Sequence, residues 1–115
     1  MENKIQKYLL DINEAINRIE FYFLNCEEFK EYELNPMLQD ATERNLEIIG
    51  EAMNKILAIE PEIKISDSRK IVNTRNKLIH GYDSIDNAEV YVMVKKYVPI
   101  LKLEIQNLMQ NVGNI

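Results

Sequence analysis

The most constraining feature of this sequence is an apolar seam with helical spacing at the start of the chain. Apolar side chains recur there at steps of three or four residues: Ile5, Leu9, Ile12, Ile16, Ile19 and Phe23. This spacing follows the 3.6-residue period of an α-helix, not the two-residue period of a strand. Such a helix is amphipathic and must bury its apolar side against other elements. The seam therefore predicts a helical protein whose first helix packs against its neighbours.

A second helix is predicted from about Pro36 to about Ile59. Pro36 suits the first position of a helix, because its missing N–H lies among the donors that are unpaired there, and Pro61 ends the element. Gly50 lies in the middle of this helix, where it costs about 1 kcal/mol relative to Ala. We expect a neighbouring helix to approach closely at Gly50 and to offset this cost.

A third helix is predicted over about residues 67–80. Ser66 or Ser68 could cap its N-terminus with a hydroxyl group. Gly81 is suited to end it in a left-handed turn. This helix carries the arginine and the histidine that are discussed below.

The last part of the chain predicts a fourth helix that begins after Asp86, with Glu89 at its third position as in a capping box. Pro99 lies within this helical pattern and predicts a kink or break just before it. The chain has only three Gly and three Pro and no competing strand pattern. Residues 1–115 are therefore expected to form one all-α domain, an antiparallel bundle of four or five helices.

The charge balance bears on the choice of partner. With 14 basic and 19 acidic residues, the net charge of the chain is −5, which disfavours indiscriminate binding of nucleic acid through its phosphates. The stretch 67–80 differs, because it has four basic side chains and one acid, a local charge of +3. A polyanion would be drawn to this helix first.

The cysteine and histidine counts restrict the cell compartment and the cofactors. Cys26 is the single cysteine, which excludes an internal disulfide and fits a reducing cytoplasm. His80 is the single histidine, so the chain lacks the His pair or cysteine cluster of a typical zinc site. No apolar run approaches the roughly 18 residues that span a bilayer. We expect a cytoplasmic protein with no metal, no cofactor and no membrane segment.

Arg75, Asn76 and His80 form the one constellation suited to chemistry. Asn76 and His80 are four residues apart and share a helix face, so the amide could orient the imidazole. Arg75 could hold phosphoryl oxygens while His80 moves a proton. In the structural alternative, His80 only ends the helix and Arg75 is a surface residue. The residues alone leave both interpretations open, with the structural one favoured.

A second polar feature is a stripe along one face of the second helix, formed by Asp40, Arg44, Glu47 and Glu51. It could be a solvated row of ion pairs, or it could line a cleft or a subunit interface. Five tyrosines are expected in the core or at its rim: Tyr8, Tyr22, Tyr32, Tyr91 and Tyr97. Tyr82 differs from these, because it follows the helix-ending Gly81 and is expected to be accessible.

Two segments resemble a known family. The string RNKLIHGY carries Arg75, His80 and Tyr82 in the pattern R-x4-H-x-Y, and it follows DATERNLEIIGEA, which spans residues 40–52. Together they resemble the HepT-like branch of the HEPN superfamily, also known as DUF86. The resemblance covers nearly the whole chain.

The resemblance implies an all-helical homodimer that acts as the toxin RNase of a type VII-like HEPN–MNT toxin–antitoxin system and cleaves RNA without a metal. The implied catalytic residues are Arg75 and His80, with Asn76 as a supporting residue. The implied antitoxin is an MNT-type nucleotidyltransferase that transfers AMP from ATP to Tyr82 and silences the nuclease.

A physical argument also favours a dimer. Cleavage by the RNA 2′-hydroxyl needs one group to accept a proton and another to donate one. The chain has one histidine, whereas a two-fold dimer would bring two copies of Arg75 and His80 to one composite site. The main alternative is a non-catalytic helical subunit that binds a minimal nucleotidyltransferase, which the acidic balance supports. A plain structural dimer is the third possibility.

Overall fold

The computed structural model describes residues 3–81 and 85–113, with side chains from residue 4 to 81 and from 85 to 110. Helix α1 spans Asn3–Tyr22, the short α2 spans Phe29–Glu33, α3 spans Pro36–Ile59 and α4 spans Ser68–His80. The last helical stretch comprises α5 (Asn87–Val92), a π-helical turn (Met93–Tyr97) and α6 (Val98–Gly113). No strand occurs within these ranges. The predicted all-α bundle is confirmed.

The apolar seam of α1 forms the centre of the core. Ile5, Leu9, Ile12, Ile16 and Ile19 are all at most 1% exposed. Helix α1 packs against α3 and α6, and α3 in turn packs against α4. Each fully buried isoleucine or leucine contributes about 1.5–3 kcal/mol relative to an exposed one, so this seam supplies much of the stability of the bundle.

Helix α2 lies between the apolar seam and Pro36, where no helix was predicted from the sequence. The Glu31 carboxylate accepts hydrogen bonds from the backbone N–H groups of Glu27 and Glu28, both at 2.9 Å, and so caps this helix. Tyr32 is fully buried and stacks on Phe23, with 5.7 Å between ring centroids. Helix α2 is thus held by one capping carboxylate and by aromatic contacts of Tyr32 and Phe29 with Phe23 and Tyr91.

The start of α4 differs from the prediction. Its N-cap residue is Asp67, which has a left-handed backbone (φ 58°) and makes no side-chain capping bond. Ser66 does not cap α4: its hydroxyl donates to Glu104 of α6 at 2.7 Å, and its backbone N–H also lies 3.1 Å from that carboxylate. The serine therefore ties the start of α4 to α6 instead of satisfying the helix end.

Two other helix ends, at Asp86 and Gly81, were predicted correctly from the sequence. Asp86 accepts a hydrogen bond from the backbone N–H of Glu89 at 2.8 Å, and Gly81 ends α4 with φ 70°. Before Pro99 the chain remains helical but widens into the π-helical turn, in which the N–H of Val98 donates to the carbonyl of Met93. At the position where a kink or break was predicted, the helix therefore changes type instead of ending, and such π-helical turns are among the places where helices kink.

None of the helices in the described ranges is both long enough and apolar enough to cross a membrane.

Candidate active site

The polar end of α4 is positioned by a close contact with α3 at Gly50. A β-carbon at position 50 would overlap Cβ of Arg75, lie 2.8 Å from its Cγ and lie 3.3 Å from the carbonyl oxygen of Ile71. Real β-carbons essentially never come within 3.0 Å of another heavy atom. The predicted close approach of a helix at Gly50 is confirmed, and the neighbour is the aliphatic stem of Arg75.

The guanidinium group of Arg75 is held by two acceptors. Its Nη1 donates to the amide oxygen of Asn76 at 3.0 Å, and its Nη2 lies 3.5 Å from a carboxylate oxygen of Glu51. The side chain is only 24% exposed, and its Nε is buried with no hydrogen-bond partner among the described residues. A guanidinium has five N–H donors, so N–H groups on both terminal nitrogens remain for an anion.

Asn76 contacts Arg75 through its amide oxygen. A role in orienting His80, which lies four residues further along α4, would therefore fall to the amide NH2 group. His80 is the last residue of α4 and is exposed. Arg75 and His80 are five positions apart, about 140° around an ideal helix, so one ligand meets both side chains only if it lies across the helix end. These roles remain predictions.

The polar stripe of α3 divides into two parts. Arg44, Glu47 and Glu51 help to line a cleft of about 250 Å³, which also has walls from α1 and the end of α4. Within it, Arg44 pairs with Glu47 at 3.5 Å, and Glu51 lies between Arg75 and Lys55. Asp40 lies nearer the N-terminus of α3, where burial of Glu43 and, after it, the charge of Asp40 raise the pKa of Glu43. We call the cavity that is lined by Arg44, Glu47 and Glu51 the α1–α3 cleft.

A larger groove lies on the other side of α4 and was missed by sequence analysis. It has a volume of about 680 Å³ and is formed where α4 faces α5 and the π-helical turn. Lys70, Lys77 and Tyr97 are among its walls. Sequence offered one signal: Lys70, Asn73 and Lys77 recur at steps of three and four, so they share a face of α4. We call this cavity the α4–α5 groove.

The remaining tyrosines lie where they were expected. Tyr32 is in the core, and Tyr8, Tyr22, Tyr91 and Tyr97 are partly buried against it. Tyr82, the predicted modification site, lies outside the described residues, so its accessibility stays a prediction.

Fold and site together define an all-α domain that carries basic side chains on one helix, between a polar cleft and a larger groove. A family model described as Ribonuclease HepT-like matches residues 12–108, and the chain belongs to this family. "Probable ribonuclease HepT" of Thermococcus cleftensis is 35% identical over 113 residues, which cover 94% of this chain and 98% of that protein. "Putative RNase MJ1216" of Methanocaldococcus jannaschii is 30% identical over 109 residues, 94% of this chain and 89% of that protein.

A further relative combines two activities in its name. "Gamma-glutamylcyclotransferase and putative RNase MJ0434" of Methanocaldococcus jannaschii is 35% identical over 112 residues, which cover 96% of this chain and 50% of that protein. No solved structure matches the chain significantly.

Proposed function

We propose that this protein is a metal-independent endoribonuclease, the toxin of a HEPN–MNT toxin–antitoxin pair, and that its active site is composed of Arg75 and His80 from two copies of the chain. The observation that carries the proposal is the side chain of Arg75, whose stem is fixed over Gly50 and whose Nη1 is held by Asn76. Such a group is ready to receive a phosphate without losing much side-chain freedom. Membership of a ribonuclease family supports the same activity.

The reaction follows from the chemistry of these groups. The 2′-oxygen of RNA attacks the adjacent phosphorus, and its proton passes to the neutral imidazole of one His80. The bond from phosphorus to the 5′-oxygen breaks, and that oxygen takes a proton from the imidazolium of the second His80. Arg75 stabilises the negative charge that develops on the phosphorane oxygens. The products are a 2′,3′-cyclic phosphate and a 5′-hydroxyl.

The requirement for a dimer rests on this proton balance. One chain supplies a single histidine, whereas the reaction needs a base and an acid at the same time. A two-fold axis close to the end of α4 would supply both from identical residues.

Silencing is proposed to occur at Tyr82. The phenolic oxygen attacks the α-phosphorus of ATP on an MNT-type nucleotidyltransferase, pyrophosphate leaves, and the tyrosine carries AMP. The new phosphodiester is an anion two residues from His80 in sequence, and it competes with the RNA phosphate for Arg75.

The test is cleavage of RNA by the purified protein in buffer that contains EDTA. The parent is expected to cleave RNA, and His80→Ala and Arg75→Ala are each expected to lose at least about 100-fold in rate. Lys102→Ala is a suitable control, because Lys102 pairs with Glu20 away from α4. If His80→Ala cleaves as fast as the parent, the assignment is wrong, and the alternative of a non-catalytic subunit, which the charge of −5 favours, replaces it.

A further inference from the structure

The α4–α5 groove is large enough to hold part of a ligand that also reaches the end of α4. Its volume of about 680 Å³ lies within the range of small-molecule sites in proteins. One wall is the face of α4 that carries Lys70, Asn73 and Lys77, and the other includes Glu89 and Tyr97.

The groove leads towards His80. On an ideal helix, Asn73 and His80 are seven residues apart and differ by only about 20° in direction. Lys77 and His80 are three residues apart and therefore neighbours on the helix surface. The α1–α3 cleft, in contrast, lies on the side of α4 that carries Ile79. A strand that crosses the end of α4 at His80 thus has the α4–α5 groove as a continuation.

Tyr97 provides an aromatic ring that has cations over it. Its ring is partly buried, and it has Lys70 Nζ at 5.0 Å and Lys96 Nζ at 5.5 Å from the ring centroid. Tyr97 is the last residue of the π-helical turn, and such turns often occur at functional sites. A base of a single strand that stacks on this ring takes the place of an ammonium group, and that ammonium group is then close enough to meet the phosphate of the same nucleotide.

The acidic residues of the groove restrict the negative charge that a ligand there can carry. Glu89 pairs with Lys77 at 3.2 Å, and Asp86 is occupied as the cap of α5. Lys70 is then the groove lysine without a carboxylate partner among the described residues. One such cation suits the single charge of a phosphodiester and not the multiple charges of a triphosphate.

We propose that the α4–α5 groove is a second RNA subsite, which binds a nucleotide beyond the two that flank the scissile phosphate, with its base on Tyr97 and its phosphate at Lys70. The proposal rests on the proposed ribonuclease function and extends it to substrate binding. It predicts that single-stranded RNA longer than a dinucleotide gains affinity through this groove, although the net charge of the protein is negative.

The test compares a dinucleotide with a single-stranded hexanucleotide as substrates. Lys70→Gln and Tyr97→Leu are expected to lower kcat/KM for the hexanucleotide about 5- to 100-fold, mainly through KM, because one base stack or one phosphate contact is lost. Both variants should cleave the dinucleotide like the parent. Tyr97→Phe keeps the ring and is expected to stay within about twofold for both substrates. Lys64→Gln, an exposed loop residue, is the charge control.

Binding of a fluorescent hexanucleotide, followed by anisotropy at several salt concentrations, tests the groove without cleavage. Lys70→Gln is expected to reduce the slope of log Kd against log salt by about 0.7, whereas Tyr97→Leu weakens binding without changing the slope. If the parent cleaves neither substrate, the ribonuclease proposal fails, but this binding experiment still decides about the groove.

Three results would overturn the subsite. Equal losses on both substrates would mean that Lys70 and Tyr97 act on the reacting groups or on the fold. Unchanged hexanucleotide binding and cleavage would mean that RNA does not enter the groove. A changed molecular mass of either variant in light scattering would mean that the groove is an interface between subunits. Thermal unfolding of each variant identifies losses that come from misfolding.

Discussion

The α-carbon of Gly50 lies directly under the side chain of Arg75, so that a β-carbon at position 50 would be 2.8 Å from Cγ of the arginine. Helices α3 and α4 can therefore come together only because position 50 has no side chain. The same contact fixes the stem of the arginine that we propose to bind the RNA phosphate. One glycine thus serves both packing and the candidate site.

Gly50→Ala is expected to destabilise the protein although it favours the helical state of α3. The substitution gains about 1 kcal/mol in helix propensity, but overpacking costs about 1–3 kcal/mol, because the clash involves Cβ and a backbone oxygen as well as flexible atoms. We expect a net loss of about 1 kcal/mol in the free energy of unfolding, measured with urea. Asn54→Ala, at an exposed position of α3, is the control and should be stabilising. A gain in stability for Gly50→Ala would contradict the close contact.

Glu51→Gln is expected to strengthen RNA binding. The carboxylate lies 3.5 Å from Nη2 of Arg75 and competes with an incoming phosphate for the same cation. A partly exposed ion pair contributes up to about 1 kcal/mol, so affinity should rise by up to about fivefold at low salt. Glu62→Gln, in the exposed loop before α4, carries the same charge change and is the control. Weaker binding by Glu51→Gln alone would mean that the carboxylate positions Arg75 rather than competes for it.

Glu31→Gln is expected to lower Tm at neutral pH and not in acid. Hydrogen bonds from the backbone N–H groups of Glu27 and Glu28 lower the pKa of Glu31 below its ordinary value. Since the folded state binds the proton more weakly than the unfolded state, the carboxylate stabilises the fold above the ordinary pKa. This contribution is lost as the pH falls through the lowered pKa. Scanning calorimetry from pH 7 to pH 3 should show that the Tm difference from the parent shrinks in acid.

Glu43→Gln is expected to raise Tm at neutral pH, which is the opposite of the effect of Glu31→Gln. Burial raises the pKa of Glu43, and the charges of Asp40 and Glu47 raise it further. As the pH rises, the Glu43 carboxyl group therefore loses its proton first in the unfolded state. The ionised carboxylate destabilises the fold above the raised pKa, whereas the protonated group at low pH does not. Glu43→Gln should therefore raise Tm at pH 7 and leave it unchanged at pH 3. A lower Tm at pH 7 would show that the carboxylate makes a stabilising contact.

Tyr82→Phe is expected to make the proposed toxin insensitive to its antitoxin. Without the phenolic oxygen there is no nucleophile to attack ATP, so the variant should keep its RNase activity after co-expression with the proposed MNT-type nucleotidyltransferase. Intact-mass analysis should show an adenylyl group on the parent and on Tyr8→Phe, but not on Tyr82→Phe. Modification of all three proteins would place the acceptor elsewhere.

Much of the fold was predictable because its signals are local. Helix α3 begins at Pro36 as expected, with the Asn35 side chain accepting from the N–H of Leu38 at 3.0 Å. Helix α2 could not be recognised by periodicity, since five residues span little more than one turn. Ser66 was misassigned because a hydroxyl can cap a helix or bind a distant carboxylate, and only the packing of α6 decides between them.

The sequence predicts which residues belong to the candidate site, but not how their side chains contact one another. The position of His80 at the helix end followed from Gly81, and a close helix contact followed from Gly50. The pairing of Arg75 with Glu51 joins side chains 24 positions apart and depends on how α3 and α4 are rotated. The α4–α5 groove depends on the π-helical turn, and Pro99 predicts only that the helix is disturbed there, not which form the disturbance takes.

The π-helical turn also determines how the two halves of the terminal helix are aligned. The wider turn accommodates about one residue more than a regular α-helical turn, and Val94 within it and Val98 after it are both buried. Deletion of a single residue between positions 93 and 97 would let this turn become α-helical with little rotation of α6, whereas deletion of a residue within α6 would rotate everything after it by about 100°. The π-helical turn is therefore a place where the chain can lose one residue without turning the apolar face of α6 away from the core.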